Sequence, residues 1–124
     1  MAKAKSKAFT RMRIETLRLV GLIPCGKFTT YGSIAVHMNV QARDVAFFLS
    51  SLTDEESATL PWHRVVGKDA RISPNMDAEL AKKQLTRLQT ESLSIDADGF
   101  IQNDDAHFHN VGVRRDIRWS EVKD

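Results

Sequence analysis

Thr30-Tyr31-Gly32-Ser33-Ile34-Ala35-Val36-His37-Met38-Asn39-Val40-Gln41-Ala42-Arg43-Asp44-Val45 encodes two helices with almost nothing between them. Thr30 is a good N-cap, because its hydroxyl can accept a bond from a first-turn N–H that has no helical partner. Ile34, Ala35 and Met38 recur at the spacing that puts them on one helical face. Asn39 suits the exit, since Asn tolerates the left-handed backbone found at many helix ends. After Val40-Gln41 a second helix is expected from Ala42 to Leu52, with Val45, Phe48, Leu49 and Leu52 on its apolar side. Helix, brief turn, helix is the geometry of a helix-turn-helix, although spacing alone leaves any small helical hairpin open.

Upstream, Phe9, Met12, Thr16, Leu17 and Val20 predict a helix that stops at Gly21, followed by a turn at Pro24-Cys25-Gly26. Residues 1–7 are Ala/Lys-rich and are expected to be disordered. Downstream, Thr53-Asp54-Glu55-Glu56-Ser57 reads as an acidic surface loop. Val65-Val66 and Arg71-Ile72 flank a turn at Gly67-Lys68-Asp69. Ser73-Pro74 is a helix start, with Met76, Leu80, Gln84, Leu85 and Leu88 carrying that helix to about Glu91. Asp98-Gly99 between Ile95 and Phe100-Ile101 is a two-residue hairpin signal. The expected organisation is one domain over residues 8–103 and a polar C-terminal extension over 104–124, with Trp119 as its anchor.

A chain of 124 residues supports a single small core. The net charge is only +2, so affinity for nucleic acid must come from a local patch rather than the whole molecule. One cysteine, Cys25, excludes an intramolecular disulfide and is compatible with the cytosol. No apolar run approaches the roughly 20 residues that cross a bilayer. Lys3, Lys5, Lys7, Arg11 and Arg13 precede the first acid, but Glu15 and Arg18 interrupt any apolar signal segment. A cytoplasmic location is expected, or a nuclear one in a eukaryote.

Three stretches carry a more specific signal: Ile23-Pro24-Cys25-Gly26-Lys27-Phe28-Thr29-Thr30-Tyr31-Gly32-Ser33-Ile34-Ala35, then Ala42-Arg43-Asp44-Val45, then Leu60-Pro61-Trp62-His63-Arg64-Val65-Val66-Gly67. Their order and spacing resemble the O6-alkylguanine-DNA alkyltransferases, over roughly residues 9–101. In that family the position of Trp62 holds the alkyl-accepting cysteine. The nitrogen lone pair of an indole belongs to its aromatic system, so Trp donates a hydrogen bond and stacks but cannot accept an alkyl group. The N-terminal domain common in the full alkyltransferases is expected to be missing. With Trp62, this points to the alkyltransferase-like proteins, which bind alkylated guanine without repairing it and are thought to pass the lesion to nucleotide excision repair.

The resemblance implies a small α/β domain, mostly helical, with a winged helix-turn-helix-like core and short β-hairpins. It implies a non-enzymatic monomer without metal or cofactor that binds duplex DNA in the minor groove and flips the damaged nucleotide. Damage at guanine O6 lies inside the stack, so a reader must swing the base into a pocket. Trp62, Tyr31, Pro61, Val65 and Arg71 would line that pocket. Arg43 would fill the gap, as a planar cation able to stack and to bond the orphaned base. Tyr31, Thr29, Thr30, Ser33, Gln41, Ala42, Ala46 and Lys68 would contact the DNA. His63 and Glu91 resemble the base and carboxylate that activate the thiol in the enzymes. With no thiol present, His63, Arg64 and Glu91 are expected to form a structural network.

Several positions depart from the family. Asp44 and Phe47 follow Arg43 where small residues are usual, Ser50 and Ser51 replace arginine and asparagine, and Asn75 stands where some relatives place an arginine over the base. Two alternative functions compete with this reading. One is an active transferase with Cys25 as nucleophile, which would gain a methyl group. The other is a sequence-specific helix-turn-helix repressor, which would bind damaged and undamaged duplexes equally.

Overall fold

The computed structural model describes residues 6–122. Helix α1 (Lys7–Gly21) starts where Ser6 caps it, the Ser6 hydroxyl accepting from the Phe9 N–H at 3.1 Å. Ser6 and Lys7 thus belong to the helix start, and the remainder of the expected disordered tail lies outside the described residues. Helix α1 buries Thr16, Leu19 and Val20. No helix among the described residues is long and apolar enough to cross a membrane.

Strand β1 (Thr29–Thr30) leads directly into α2 (Tyr31–Met38). The Thr30 hydroxyl accepts from the Ser33 N–H at 3.0 Å and so caps α2. At Asn39 the backbone turns left-handed, with φ of 59°, and its N–H bonds back into the last turn. Helix α3 (Ala42–Ser50) follows after Val40-Gln41. It stops short of the expected Leu52. The hydroxyls of Ser50 and Ser51 both bond the Phe47 carbonyl, at 2.8 and 3.0 Å, and compete with the backbone for continuation. Ile34, Ala35 and Met38 of α2 and Val45 of α3 meet Leu19, Val20 and Ile23 in one core cluster.

The acidic segment forms helix α4 (Asp54–Thr59), not a loop. Thr53 and Glu56 satisfy each other's backbone N–H groups at 3.1 and 2.9 Å, a capping box, and acids in the first turn suit the positive helix end. Arg13 bonds both oxygens of Glu56, at 3.0 and 2.6 Å, and ties α1 to α4.

Chain order then gives a 3-10 turn at Trp62–Arg64 and strand β2 (Val65–Val66). Strand β2 pairs with β1 in parallel, Thr29 opposite Val65 and Thr30 opposite Val66, so the only two-stranded sheet among the described residues is not a hairpin. Antiparallel pairing is limited to single bridges at Gly67–Arg71, Arg71–Phe100 and Ile95–Ile101. The expected two-residue turn at Asp98-Gly99 is longer. The Asp96 carboxylate accepts from the N–H groups of Asp98 and Phe100 at 3.0 and 2.9 Å and organises the whole loop.

Helix α5 (Ala78–Thr90) starts later than Ser73-Pro74 predicts. Asp77 caps it, accepting from the Leu80 N–H at 3.2 Å, while residues 73–76 close a separate turn through Met76 N–H to the Ser73 carbonyl. Leu88 of α5 joins Phe28, Val66, Ile72, Leu93 and Ile101 in a second core cluster.

After the short helix α6 (Asp104–His107), the chain runs back along the end of α2. Phe28 N–H bonds the His107 carbonyl and His109 N–H bonds the Phe28 carbonyl, at 3.0 and 2.7 Å. Further on, Arg115 N–H bonds the His37 carbonyl at 2.8 Å and the Trp119 indole N–H bonds the Met38 carbonyl at 2.8 Å. These are terminal α2 carbonyls that have no partner inside the helix.

Gln84 on α5 is fully buried, and its amide nitrogen donates to the carbonyls of His63 and Val65 at 3.1 and 2.8 Å. Gln84→Leu removes that donor and leaves both carbonyls without it in an apolar interior. Such orphaning costs roughly 1–3 kcal/mol per group. Urea unfolding of this variant should show a loss in that range or above, with an unchanged m value; an unchanged midpoint would show that the amide is dispensable.

Candidate nucleic-acid interface

The second helix of the helix-turn-helix presents its N-terminal end to solvent, with Gln41, Ala42 and Arg43 all exposed. Asp44, an acid in an unexpected place, turns inward along the chain: its carboxylate accepts from the Gln41 N–H at 3.0 Å. At this first-turn position a negative charge is favourable for the helix itself. Arg43 is in no ion pair among the described residues.

A cavity of about 620 Å3 opens beside this helix end, and its wall includes Tyr31, Arg43, Ala46, Phe47, Trp62, Asn75, Met76 and Leu80. Three separate sequence motifs therefore meet at one opening: the start of α2, the start of α3 and the Trp62 turn. Tyr31 is partly buried, and burial pushes its phenol above the ordinary value, which keeps the hydroxyl protonated and able to donate.

Trp62 is 9% exposed yet forms part of the cavity wall. Its indole N–H is buried, with no hydrogen-bond partner among the described residues. The Arg87 guanidinium sits over the ring, 5.3 Å from its centroid, and the His63 ring meets it edge-on at 6.3 Å. A cation over an indole face is worth about 0.5–2 kcal/mol and holds the ring in one orientation.

Behind Trp62 lies a charge network. Glu91, just past the end of α5, accepts from His63 Nε2 at 2.7 Å, from Arg64 Nε and a terminal Arg64 nitrogen at 2.9 and 2.8 Å, and from the Gly26 N–H at 3.0 Å. The other Arg64 terminal nitrogen bonds the Ile23 carbonyl at 2.7 Å. Desolvation works against the Glu91 charge, but the Arg64, His63 and Gly26 donors overcome it and hold the carboxyl at about 2. Burial pushes His63 below its usual value, despite Glu91 beside it, so the ring is neutral and donates through Nε2. Its Nδ1 is buried and has no partner.

Other expected site residues lie elsewhere. Thr29 is fully buried in β1 with its hydroxyl oxygen unpartnered, so it cannot meet a phosphate. Val65 sits in the first core cluster, and Pro61 caps the Trp62 turn without reaching the cavity wall. Arg71 points to the 96–100 loop, donating to the Asp98 carbonyl at 2.9 Å and lying 4.9 Å from the Phe100 ring centroid. Its bridges to Gly67 and Phe100 hold it there. Thr30 and Ser33 are committed to capping α2, their hydroxyls 2.8 Å apart, and Lys68 is exposed on the turn before Arg71.

Conversely, Phe47, Met76, Leu80 and Arg87 were not expected at this site. Phe47 and Leu80 are 49% and 47% exposed, and both face the cavity. Cys25 is exposed in the turn before β1 and is not part of the cavity wall.

The sequence profile of the 6-O-methylguanine DNA methyltransferase DNA-binding domain matches residues 11–93. Alkyltransferase-like protein 1 of Schizosaccharomyces pombe is 37% identical over 75 residues, which is 59% of this chain and 68% of that protein. The DNA base-flipping protein of Escherichia coli is 35% identical over 86 residues, covering 68% of this chain and 64% of the relative, a little under two thirds of its length. Among solved structures, S. pombe Atl1 in complex with damaged DNA containing O6-carboxymethylguanine superposes with a TM-score of 0.69 at 27% identity, over 81% of this chain and 95% of that one.

The Glu91 network sets an acid dependence. A carboxyl lowered from 4.5 to about 2 stabilises the fold fully above pH 4.5, and that contribution is lost as pH falls toward 2. His63 acts in the same direction from higher pH, since a ring held neutral in the folded state loses ground once the unfolded ring protonates below about 6.5. Chemical unfolding at a series of pH values should therefore show roughly 2–3 kcal/mol of acid-sensitive stability that Glu91→Gln removes. Glu56, held at about 2 by Arg13, titrates in the same window and remains as the residual acid limb in the variant. Equal pH profiles for both proteins would rule the network out as the source.

Proposed function

The chain belongs to the family built on the 6-O-methylguanine DNA methyltransferase DNA-binding domain and is an alkyltransferase-like protein, and from that premise we propose that it binds O6-alkylguanine in duplex DNA, flips it, and holds it without taking the alkyl group. One observation carries this reading: a single cavity joins Arg43 at the exposed start of α3 to Tyr31 and Trp62.

Helix α3 would enter the minor groove, which is only about 6 Å wide in unbent DNA, so the duplex must widen and bend away. Ala42 and Ala46 keep the leading part of the helix slim. Arg43, in no ion pair among the described residues, would occupy the space left by the flipped nucleotide and bond its partner base. Tyr31 stands at the opposite lip, where a protonated phenol can crowd and bond the adjacent phosphate. The extruded base would lie against Trp62, whose ring forms part of the cavity wall and offers stacking worth about 1–3 kcal/mol. Phe47, Met76 and Leu80 give the alkyl group an apolar wall.

Transfer requires a nucleophile in line with the alkyl carbon. Trp62 supplies none, and Cys25 lies off the cavity. His63 and Glu91 keep a proton-relay geometry, but with no thiol to serve they fasten the loop. A lesion that is held and not repaired must be removed by other proteins, and nucleotide excision repair is the fitting partner.

Matched duplexes with guanine or O6-methylguanine at one site test this by titration, with a fluorescent base beside the site reporting exposure. The damaged duplex should bind more tightly, and its fluorescence should rise. Arg43→Ala, Tyr31→Ala and Trp62→Ala should each weaken damaged-duplex binding by about 1–3 kcal/mol. Mass spectrometry of the wild-type protein after incubation with the damaged duplex should show no added methyl group. Equal affinity for the two duplexes, or a methylated protein, would refute the reading.

A further inference from the structure

The family match ends at residue 93, yet the chain beyond it is not a loose tail. Residues 113–119 wrap the turn of the helix-turn-helix. The Val113 carbonyl lies 2.7 Å from His37 Nδ1, and the Ile117 carbonyl accepts from the Asn39 side-chain amide at 2.8 Å. Arg115 N–H and the Trp119 indole close the α2 end as described above. Gly112 makes this approach possible, because a Cβ there would come within 3.2 Å of the His37 ring.

Arg114 sits in the middle of this strap. One of its terminal nitrogens donates to Asn39 Oδ1 at 2.7 Å, so the side chain is fixed on the turn itself. It is exposed, and among the described residues it is in no ion pair, whereas Arg115 is matched by Glu15 and Arg118 is loosely matched by Glu121 at 3.5 Å. Asn39 is four residues from Arg43, and four residues of chain span at most about 14 Å. Each strand carries a phosphate about every 3.4 Å of duplex axis, so that distance covers roughly four nucleotides. A fixed, unneutralised arginine beside the helix that enters the duplex has a polyanion within reach. We propose that residues 111–122 are a second DNA-binding element, a strap that carries Arg114, with Arg118 behind it, onto backbone phosphates flanking the lesion.

The proposal rests on duplex binding through α3, and it separates from that reading by what each residue changes. Phosphate contacts position without reporting sequence or damage. Arg114→Ala should therefore weaken the damaged and the undamaged duplex by the same factor, leaving their ratio intact. It should also reduce the slope of log affinity against log salt concentration by about one, the release expected from one lost phosphate contact. The double variant Arg114→Ala/Arg118→Ala should reduce it further. Arg114→Lys keeps the charge and should keep the slope. The measurement is a fluorescence-anisotropy titration of the full chain on both duplexes at several potassium chloride concentrations. Weakened binding with an unchanged salt slope would mean that Arg114 only clasps Asn39, and unchanged affinity would mean it touches nothing; either result overturns the strap. A wild-type protein that binds both duplexes equally would instead refute lesion recognition and leave the strap standing or falling on its salt slope.

Discussion

The carboxylate of Glu91 is the point on which the site depends. It receives Arg64, His63 and the Gly26 N–H together, and Arg64 extends the tie to the Ile23 carbonyl. Three stretches distant in sequence are thus fixed to one another: residues 23–26 between α1 and β1, the Trp62 turn and the end of α5. A charge this far from water is costly unless it is paired and fully hydrogen-bonded. That cost makes the arrangement unique, because any slippage of the loop leaves Glu91 or Arg64 without partners. Gln84 adds a neutral tie from α5 to the same loop on either side of Arg64.

A loop fixed in this way can hold a largely buried aromatic ring so that it still forms part of a cavity wall. Trp62 has Arg87 over its ring, His63 at its edge, and the cavity beside it. The unpartnered indole N–H and the unpartnered His63 Nδ1 are the polar groups this arrangement leaves unsatisfied. Buried polar atoms are normally paired, and exceptions concentrate where a site gives up local stability for function. Of the four residues among those described that carry such an atom, Trp62 and His63 are neighbours in one turn, Gln84 is tied to the same loop, and Thr29 lies in β1.

Much of this was legible in the chain. Thr30 and Asn39 marked both ends of α2 because capping chemistry is local and needs only a hydroxyl or a tolerant amide at the right position. Tyr31, Arg43 and Trp62 were identified by motif and meet at one cavity. The misses have physical causes. Helix α4 was announced by Thr53 and Glu56 as a capping box, but the absence of apolar periodicity hid it. Thr29 was expected at the DNA and Val65 in the pocket because neither motif reveals that the two strands pair in parallel, which buries both residues. Arg71 followed its position in the chain rather than the bridges that turn it toward Phe100. Phe47 and Leu80 are exposed apolar residues whose use appears only when α3 and α5 face each other across a space.

The same geometry explains how a chain of net charge +2 can address a polyanion. Glu15, Glu56 and Glu91 are each spent on an arginine inside the protein, which cancels charge locally and removes those groups from the outward field. Two carboxylates remain at the cavity, Asp54 and Asp77, and both occupy the start of a helix, where the partial positive end offsets them. Asp44 is disposed of in the same manner at the start of α3. Among the described residues, Arg43 on α3 and Arg114 on the strap are in no ion pair beside the helix-turn-helix, and Asp116 is the one unpaired acid of that strap. The field that reaches a duplex is therefore set by where the acids are neutralised, and counting residues gives little sense of it.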